Sequence, residues 1–426
     1  MVAGGSKASA GAQARTSPAA IAMLACATMT IAALPALADV VFEYNENASA
    51  LEINTTDSTS SVLINGVDVV SELSVISKHV DLLTAATRRV CAQSTSDPVT
   101  EIPVSKGPDA FAGTVLGPDG LVYGIPYNDD RVLVFNPETR ETSFLPIPNQ
   151  PSNTKAWQGG VAAPNGKIFG IPSRWPHLLM IDTTDGTVNA TLKVPAQDPA
   201  STDDRWLGGV YSPDSGLIYG IPHDANTVLI IDPDTGAMDA TTLTISGDTD
   251  PRKWWGGVLA NDGNIYCVPH STGLLLVIDP VANAVTEQGP GISSAGNKWA
   301  GGVLGPDGLI YCIPHIYESV LVIQTQPELS ISFIRLGTSG SVRKWVGGVL
   351  AFNNLIYAAP SANNGEVLVL DPLARSVDLT SVAAGDGSEG LREWEGMVSL
   401  ESGLLVSIPR VASSILIIDP RCMFSQ

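Results

Sequence analysis

Three of the chain's five histidines stand in the same local context, in the tripeptides Ile221-Pro222-His223, Val268-Pro269-His270 and Ile313-Pro314-His315. A fourth, His177, follows Pro172 by a few residues. Imidazoles are the side chains best suited to proton transfer near neutral pH and to binding a divalent metal, with nitrogen about 2.0–2.1 Å from zinc. If His223, His270 and His315 converge, they form a metal or catalytic set, and the chain is a metal-dependent lyase or hydrolase with a divalent metal as cofactor. If they do not, three histidines in neighbouring copies of a repeat are inherited consensus with ordinary hydrogen bonds. No carboxylate has a spacing that marks it as their partner, because the aspartates mostly occupy turns, where their side chains serve the backbone.

A second repeated set pairs a cation with an indole: Arg205-Trp206, Lys253-Trp254, Lys298-Trp299 and Lys344-Trp345. Lys155 and Arg392 lie one residue further back from Trp157 and Trp394. The six tryptophans read either as packing between repeated units or as exposed stacking platforms of the kind that bind sugars. Their cations can lie over the indole, pair with turn carboxylates, or form an electropositive collar that gathers an anionic ligand. The leading functional expectation is a non-enzymatic binding protein. Its ligand, a polar or anionic small molecule or a glycan, or else a protein partner, is expected to meet Trp157, Trp206, Trp254, Trp299, Trp345, Trp394, Arg205, Lys253, Lys298 and Lys344.

The elements that position these residues are visible as a repeat. The aromatic anchors Phe111, Trp157, Trp206, Trp254, Trp299, Trp345 and Trp394 recur at steps of 46, 49, 48, 45, 46 and 49 residues. Periods of this size indicate propellers or solenoids. Within a unit, a Gly-Gly-Val-Leu run such as Gly301 to Leu304 predicts a first strand. A turn such as Pro306-Asp307-Gly308 supplies the positive φ that a tight hairpin needs. The second strand ends in all seven units at a proline (Pro126, Pro172, Pro222, Pro269, Pro314, Pro360, Pro409), which cannot donate to a ladder. The third strand is Val-Leu-Val-Ile, as in Val228 to Ile231, and the fourth is shorter and more polar, as in Ala190 to Val194 or Ser330 to Ile334. Four antiparallel strands per unit and seven units predict an all-β fold, a seven-bladed β-propeller over residues 98–426. The last unit runs out after its third strand, so the strand-like residues 100–105 are expected to complete it and close the ring, removing an exposed sheet edge.

The blades resemble those of YVTN-, quinoprotein- and SMP-30-like propellers, in which apolar strands such as Val-Leu-Val-Ile-Asp are followed by Pro/Asn-x-Thr-Gly turns. The resemblance spans residues 98–426 and implies architecture only, since propellers host many unrelated functions.

In antiparallel blades, the loop entering the first strand and the loop leaving the second open on one face. The Lys/Arg-Trp corners and the residues after the strand-ending prolines (Tyr127, Ser173, His223, His270, His315, Ser361, Arg410) therefore belong together near the mouth of the central channel.

The 426-residue chain carries a formal charge of −20, which repels phosphate backbones and argues against nucleic-acid binding. Residues 1–38 read as a signal peptide, with basic Lys7 and Arg15, an apolar run from Ile21 to Leu34, and Ala36-Leu37-Ala38 before the cleavage point; an uncleaved anchor is the alternative. The protein is thus expected to be secreted or at the cell surface, with no membrane span after cleavage. Sequons at Asn47, Asn54 and Asn189 would make it a glycoprotein. After a polar segment at 39–67, residues 68–91 read as an amphipathic helix or short coiled coil. Val69, Leu73, Ile76, Val80, Leu83, Thr87 and Val90 form a heptad seam that either packs on the following domain or makes a homo-oligomer. Cys91 and Cys422 flank the ring closure and could clasp it, or Cys91 could bridge chains. Cys267 and Cys312 occupy equivalent repeat positions and read as buried thiols.

Overall fold

A computed structural model describes residues 40–45, 50–55, 63–64, 67–68, 98–148, 154–195, 203–247, 251–289, 291–337, 343–361, 365–384 and 394–421. The chain divides into two units, residues 1–90 and 91–426. In the first, Val40–Asn45 pairs antiparallel with Ala50–Thr55, and Leu63–Ile64 pairs with Val67–Asp68. Asp68, expected to open the helix, is therefore strand. The leader at 1–38, the heptad seam at 69–90, Cys91, Cys422 and Arg392 lie outside the described residues. Among the described residues no helix is long and apolar enough to cross a membrane.

The second unit is a seven-bladed propeller of four-stranded antiparallel sheets, and in blades 1 to 6 each strand pairs with its sequence neighbour. Blade 5 is representative: Trp299–Leu304, Ile310–Pro314, Ser319–Gln324 and Ser330–Arg335. Blade 7 takes three strands from the C-terminal end, Val398–Ser399, Leu405–Ser407 and Ser414–Ile418, and its fourth from Val99–Pro103. The register runs from Ser414 against Pro103 to Ile418 against Val99. The ring is closed as the sequence predicts. The fourth strand of blade 2 is Val188–Asn189, slightly earlier than expected.

The core lies between blades. Val258, Tyr266, Val268, Leu275 and Val277 of blade 4 pack with Trp299, Ile310, Cys312, Leu321 and Ile323 of blade 5, and the other six interfaces repeat the plan. Cys267 and Cys312 are buried free thiols, and burial pushes both thiol pKa values up. The turn aspartates do more than shape the backbone. Tyr123, Tyr266 and Tyr311 each donate their hydroxyl to the aspartate four residues earlier, at 2.7, 2.8 and 2.7 Å.

The glycine pair sets how tightly the blades meet at the axis. A Cβ on Gly159 would lie 2.7 Å from the Cα of Gly208, and one on Gly301 would lie 2.7 Å from the Cα of Gly347. The first glycine of each pair also has positive φ, +78° at both Gly159 and Gly301, which an L side chain rarely adopts. In blades 1 to 5 the register shifts at this point, for example between Trp299 and Gly302. Such a bulge places two residues opposite one and re-aims a side chain. Consecutive strand residues face opposite ways, so Trp254 and Trp255 have different surroundings.

Candidate functional site at the axial mouth

One face of the propeller is laced by a belt of main-chain hydrogen bonds. Each link alternates between the residue after the strand-ending proline and the residue before the aromatic anchor of the next blade. His223 N–H donates to Arg205 C=O, Lys253 N–H to His223 C=O, His270 N–H to Lys253 C=O, and Lys298 N–H to His270 C=O. The same links run through His315, Lys344 and Ser361 in one direction and through Ser173, Ala156, Tyr127 and Ala110 to Arg410 in the other. The proline ends the second strand because it has no N–H to give, and the residue after it resumes donation into the belt. The two sets expected to share a face therefore do.

The tryptophans do not present their faces on it. Trp157, Trp206, Trp254, Trp299, Trp345 and Trp394 are 0–1% exposed. Each indole N–H donates to a main-chain carbonyl at 2.7–2.9 Å, those of His177, Thr227, Leu274, Ser319, Glu366 and Ser414 respectively. Of the two readings, the stacking platform fails because no ligand can reach the rings, and the packing reading accounts for them. The electropositive collar is corrected for the same reason. Arg205, Lys253, Lys298 and Lys344 are buried. The Lys298 ammonium donates to the carbonyls of His270, Thr272 and Ala295 at 3.2, 3.0 and 2.6 Å. Lys344 reaches those of Ile316 and Tyr317, Lys253 those of Asp224 and the Asn226 side chain, and Arg205 those of Ser173 and Arg174. These cations clasp the loop of the preceding blade.

The histidines do converge, on a residue the repeat pattern passes over. His223, His270 and His315 ring centroids lie 5.9, 5.0 and 5.4 Å from the half-buried Trp255 ring, with successive imidazoles 5.5 and 5.6 Å apart. Each Nδ1 is bonded to the carbonyl of the next blade's anchor: His223 to Trp254 at 2.9 Å, His270 to Trp299 at 2.8 Å, His315 to Trp345 at 3.3 Å. Burial pushes all three pKa values down, that of His270 well below the usual range and that of His315 to about 4, so the rings are neutral at pH 7. His177 does not join them; its ring lies 5.0 Å from Trp175.

The metal expectation does not fit this geometry. Among the described residues no group of three or more His, Cys, Asp or Glu is placed to hold a metal ion.

Trp255, Val346 and Glu395 occupy the position just after the anchor and line the axial channel with the glycine pairs, Thr114 and Met397, a cavity of about 250 Å³. Across blade 1, where this position is the small Ala112, Gln158 of blade 2 donates to Glu395 of blade 7 at 2.8 Å. Glu395 also pairs with Arg410 at 2.5 Å, and the Arg410 guanidinium lies 4.8 Å from the Tyr127 ring centre. Arg174 grips Asp204 through two bonds of 2.6 and 2.9 Å. The mouth thus has an imidazole–indole side on blades 3 to 5 and an ion-paired side on blades 7, 1 and 2. The signal that sequence reading missed is variation within a repeat: Ala112, Gln158, Leu207, Trp255, Ala300, Val346 and Glu395 differ where their neighbours agree.

No protein-family model matches the chain, and no curated protein matches it in sequence. Solved propellers do match in shape. Streptogramin B lyase superposes with a TM-score of 0.61 at 13% identity, over 75% of this chain and 96% of that one. Virginiamycin B lyase from Staphylococcus aureus, with quinupristin, gives 0.62 at 13% identity, over 75% and 98%. The extracellular domain of a hybrid two-component system protein from B. thetaiotaomicron gives 0.53 at 13% identity, over 75% of this chain and 42% of that one. At such identities the likeness establishes the propeller fold and carries no activity with it.

Proposed function

We propose that the protein is a binding propeller, secreted or at the cell surface, that holds a polar small molecule or glycan-like ligand at the axial mouth. The observation that carries the reading is the convergence of three neutral imidazoles on the half-buried Trp255 ring. A concave site with an aromatic wall and a few placed polar groups is the usual form of a small-molecule site. The blades differ at the mouth, which favours one axial ligand over sevenfold multivalent capture. Extracellular domains among the structural neighbours support the location. Trp255→Ala should abolish retention on a glycan array while leaving the melting temperature within a few degrees of the parent. Retention unchanged by that substitution counts against a mouth site. The heptad at residues 69–90 would make the protein oligomeric, and a monomeric mass for the full chain by light scattering would remove that part.

A further inference from the structure

The three imidazoles gather around Trp255 at the mouth, and their hydrogen positions follow from their partners. A carbonyl oxygen can only accept a hydrogen bond, so the Nδ1 atoms facing Trp254, Trp299 and Trp345 carry the ring hydrogens. The Nε2 atoms are then bare lone pairs. None has a hydrogen-bond partner among the described residues, and the three residues keep 4, 2 and 5% of their surface exposed.

Resting on the binding reading above, we infer that the ligand is an uncharged, hydroxyl-bearing molecule, a neutral saccharide or polyol, whose hydroxyls donate to Nε2 of His223, His270 and His315. Its carbon face lies on Trp255. The imidazole ring centres follow one another at 5.5 and 5.6 Å around the mouth, within the span of neighbouring hydroxyls on one sugar. An anion would bring its own lone pairs against three acceptors. The mouth's guanidinium groups are in no position to reverse that, since Arg410 is held by Glu395 and Asp109 and Arg174 by Asp204. An organic cation is disfavoured by the buried Lys253, Lys298 and Lys344 just behind the belt. A hydroxyl has neither problem, and an indole offers the flat apolar surface that the C–H face of a pyranose covers.

The test is binding of the full chain to an array carrying neutral, acidic and amine-bearing glycans, followed by titration of the best binder against tryptophan fluorescence. His270→Asn is the diagnostic variant. Its amide can keep the donor at the Nδ1 position to Trp299 while removing the Nε2 acceptor. Neutral glycans should bind, His270→Asn should weaken them at least tenfold without lowering the melting temperature appreciably, and Trp255→Ala should abolish binding. Preference for acidic or amine-bearing glycans, still lost in Trp255→Ala, overturns this inference and leaves the mouth site standing. Neutral glycans binding equally well to His270→Asn also overturns it. Binding by no glycan class overturns both.

Discussion

His270 Nδ1 stands 2.8 Å from the carbonyl oxygen of Trp299, so one residue of blade 4 holds the anchor of blade 5 and is itself held in one tautomer. The bond does two things at once. It ties adjacent blades at the rim of the ring, and it leaves the other ring nitrogen as an acceptor beside Trp255. Structural and functional requirements coincide in this histidine.

Acid should destabilise the propeller before its carboxylates titrate. His315 is held to about 4, first by burial and further by Arg343, Arg410 and Lys344, against the Trp345 carbonyl, which acts the other way. His270 faces His223, His315 and Lys298, and His223 faces Asp224, Asp204 and Lys253; burial dominates in both. Below pH 6.5 the unfolded chain takes up protons that the folded chain refuses. Stability is therefore full above that pH and falls toward pH 4, by about 3 kcal/mol for His315 alone. Thermal melts from pH 7.5 to 4.5 should show this decline, and His315→Asn should flatten it.

Two adjacent indoles should behave in opposite ways. Trp254 is fully buried between blades, with its N–H on the Leu274 carbonyl. Trp254→Ala should cost roughly 3–5 kcal/mol, the range for a large core truncation. Trp255→Ala should cost about 1 kcal/mol or less, because its ring is only half-buried. Urea titrations of the two variants measure the contrast.

The corner lysine is a clasp, and removing its charge should be felt as lost cohesion between blades. Lys298→Met keeps much of the stem but takes the ammonium donor from the Thr272 and Ala295 carbonyls and leaves the His270 carbonyl only the main-chain N–H of residue 298. A loss of about 2–3 kcal/mol is expected, as for hydrogen bonds to a charged group. Equilibrium unfolding should show it, together with faster hydrogen exchange in residues 270–272.

Glycines of equal φ should differ by their surroundings. Gly301 at +78° would push a Cβ to 2.7 Å from Gly347 Cα, whereas Gly120 at +80° has open space around it. Gly120→Ala should cost about 1–2 kcal/mol of backbone strain alone. Gly301→Ala should cost that plus the separation of two blades, more than about 3 kcal/mol. Melting temperatures of the pair test the claim.

The blade plan, the closing strand and the shared face of the histidines were legible because each depends on spacing that repeats: Pro314 after an apolar run, Asp307-Gly308 before it, His315 next to the proline. Two things were not. Whether Trp299 packs or is displayed turns on its indole N–H meeting Ser319 C=O, a bond set by blade geometry. Trp255 is a single-copy residue beside a repeated one, and no spacing in the sequence marks it as lining the mouth. Lys298 looked like surface charge because nothing in the sequence shows that the carbonyls of His270 and Thr272 in the preceding blade, with that of Ala295, surround its ammonium.

The central claim is that three imidazoles present neutral acceptor nitrogens at the mouth. Long-range proton–nitrogen correlation spectra of ¹⁵N-histidine-labelled protein at pH 7 test it most directly. Nδ1–H tautomers are expected for His223, His270 and His315, all three rings neutral at that pH, with His315 unchanged in charge down to about pH 5. Nε2–H tautomers, or imidazolium signals at neutral pH, would contradict it.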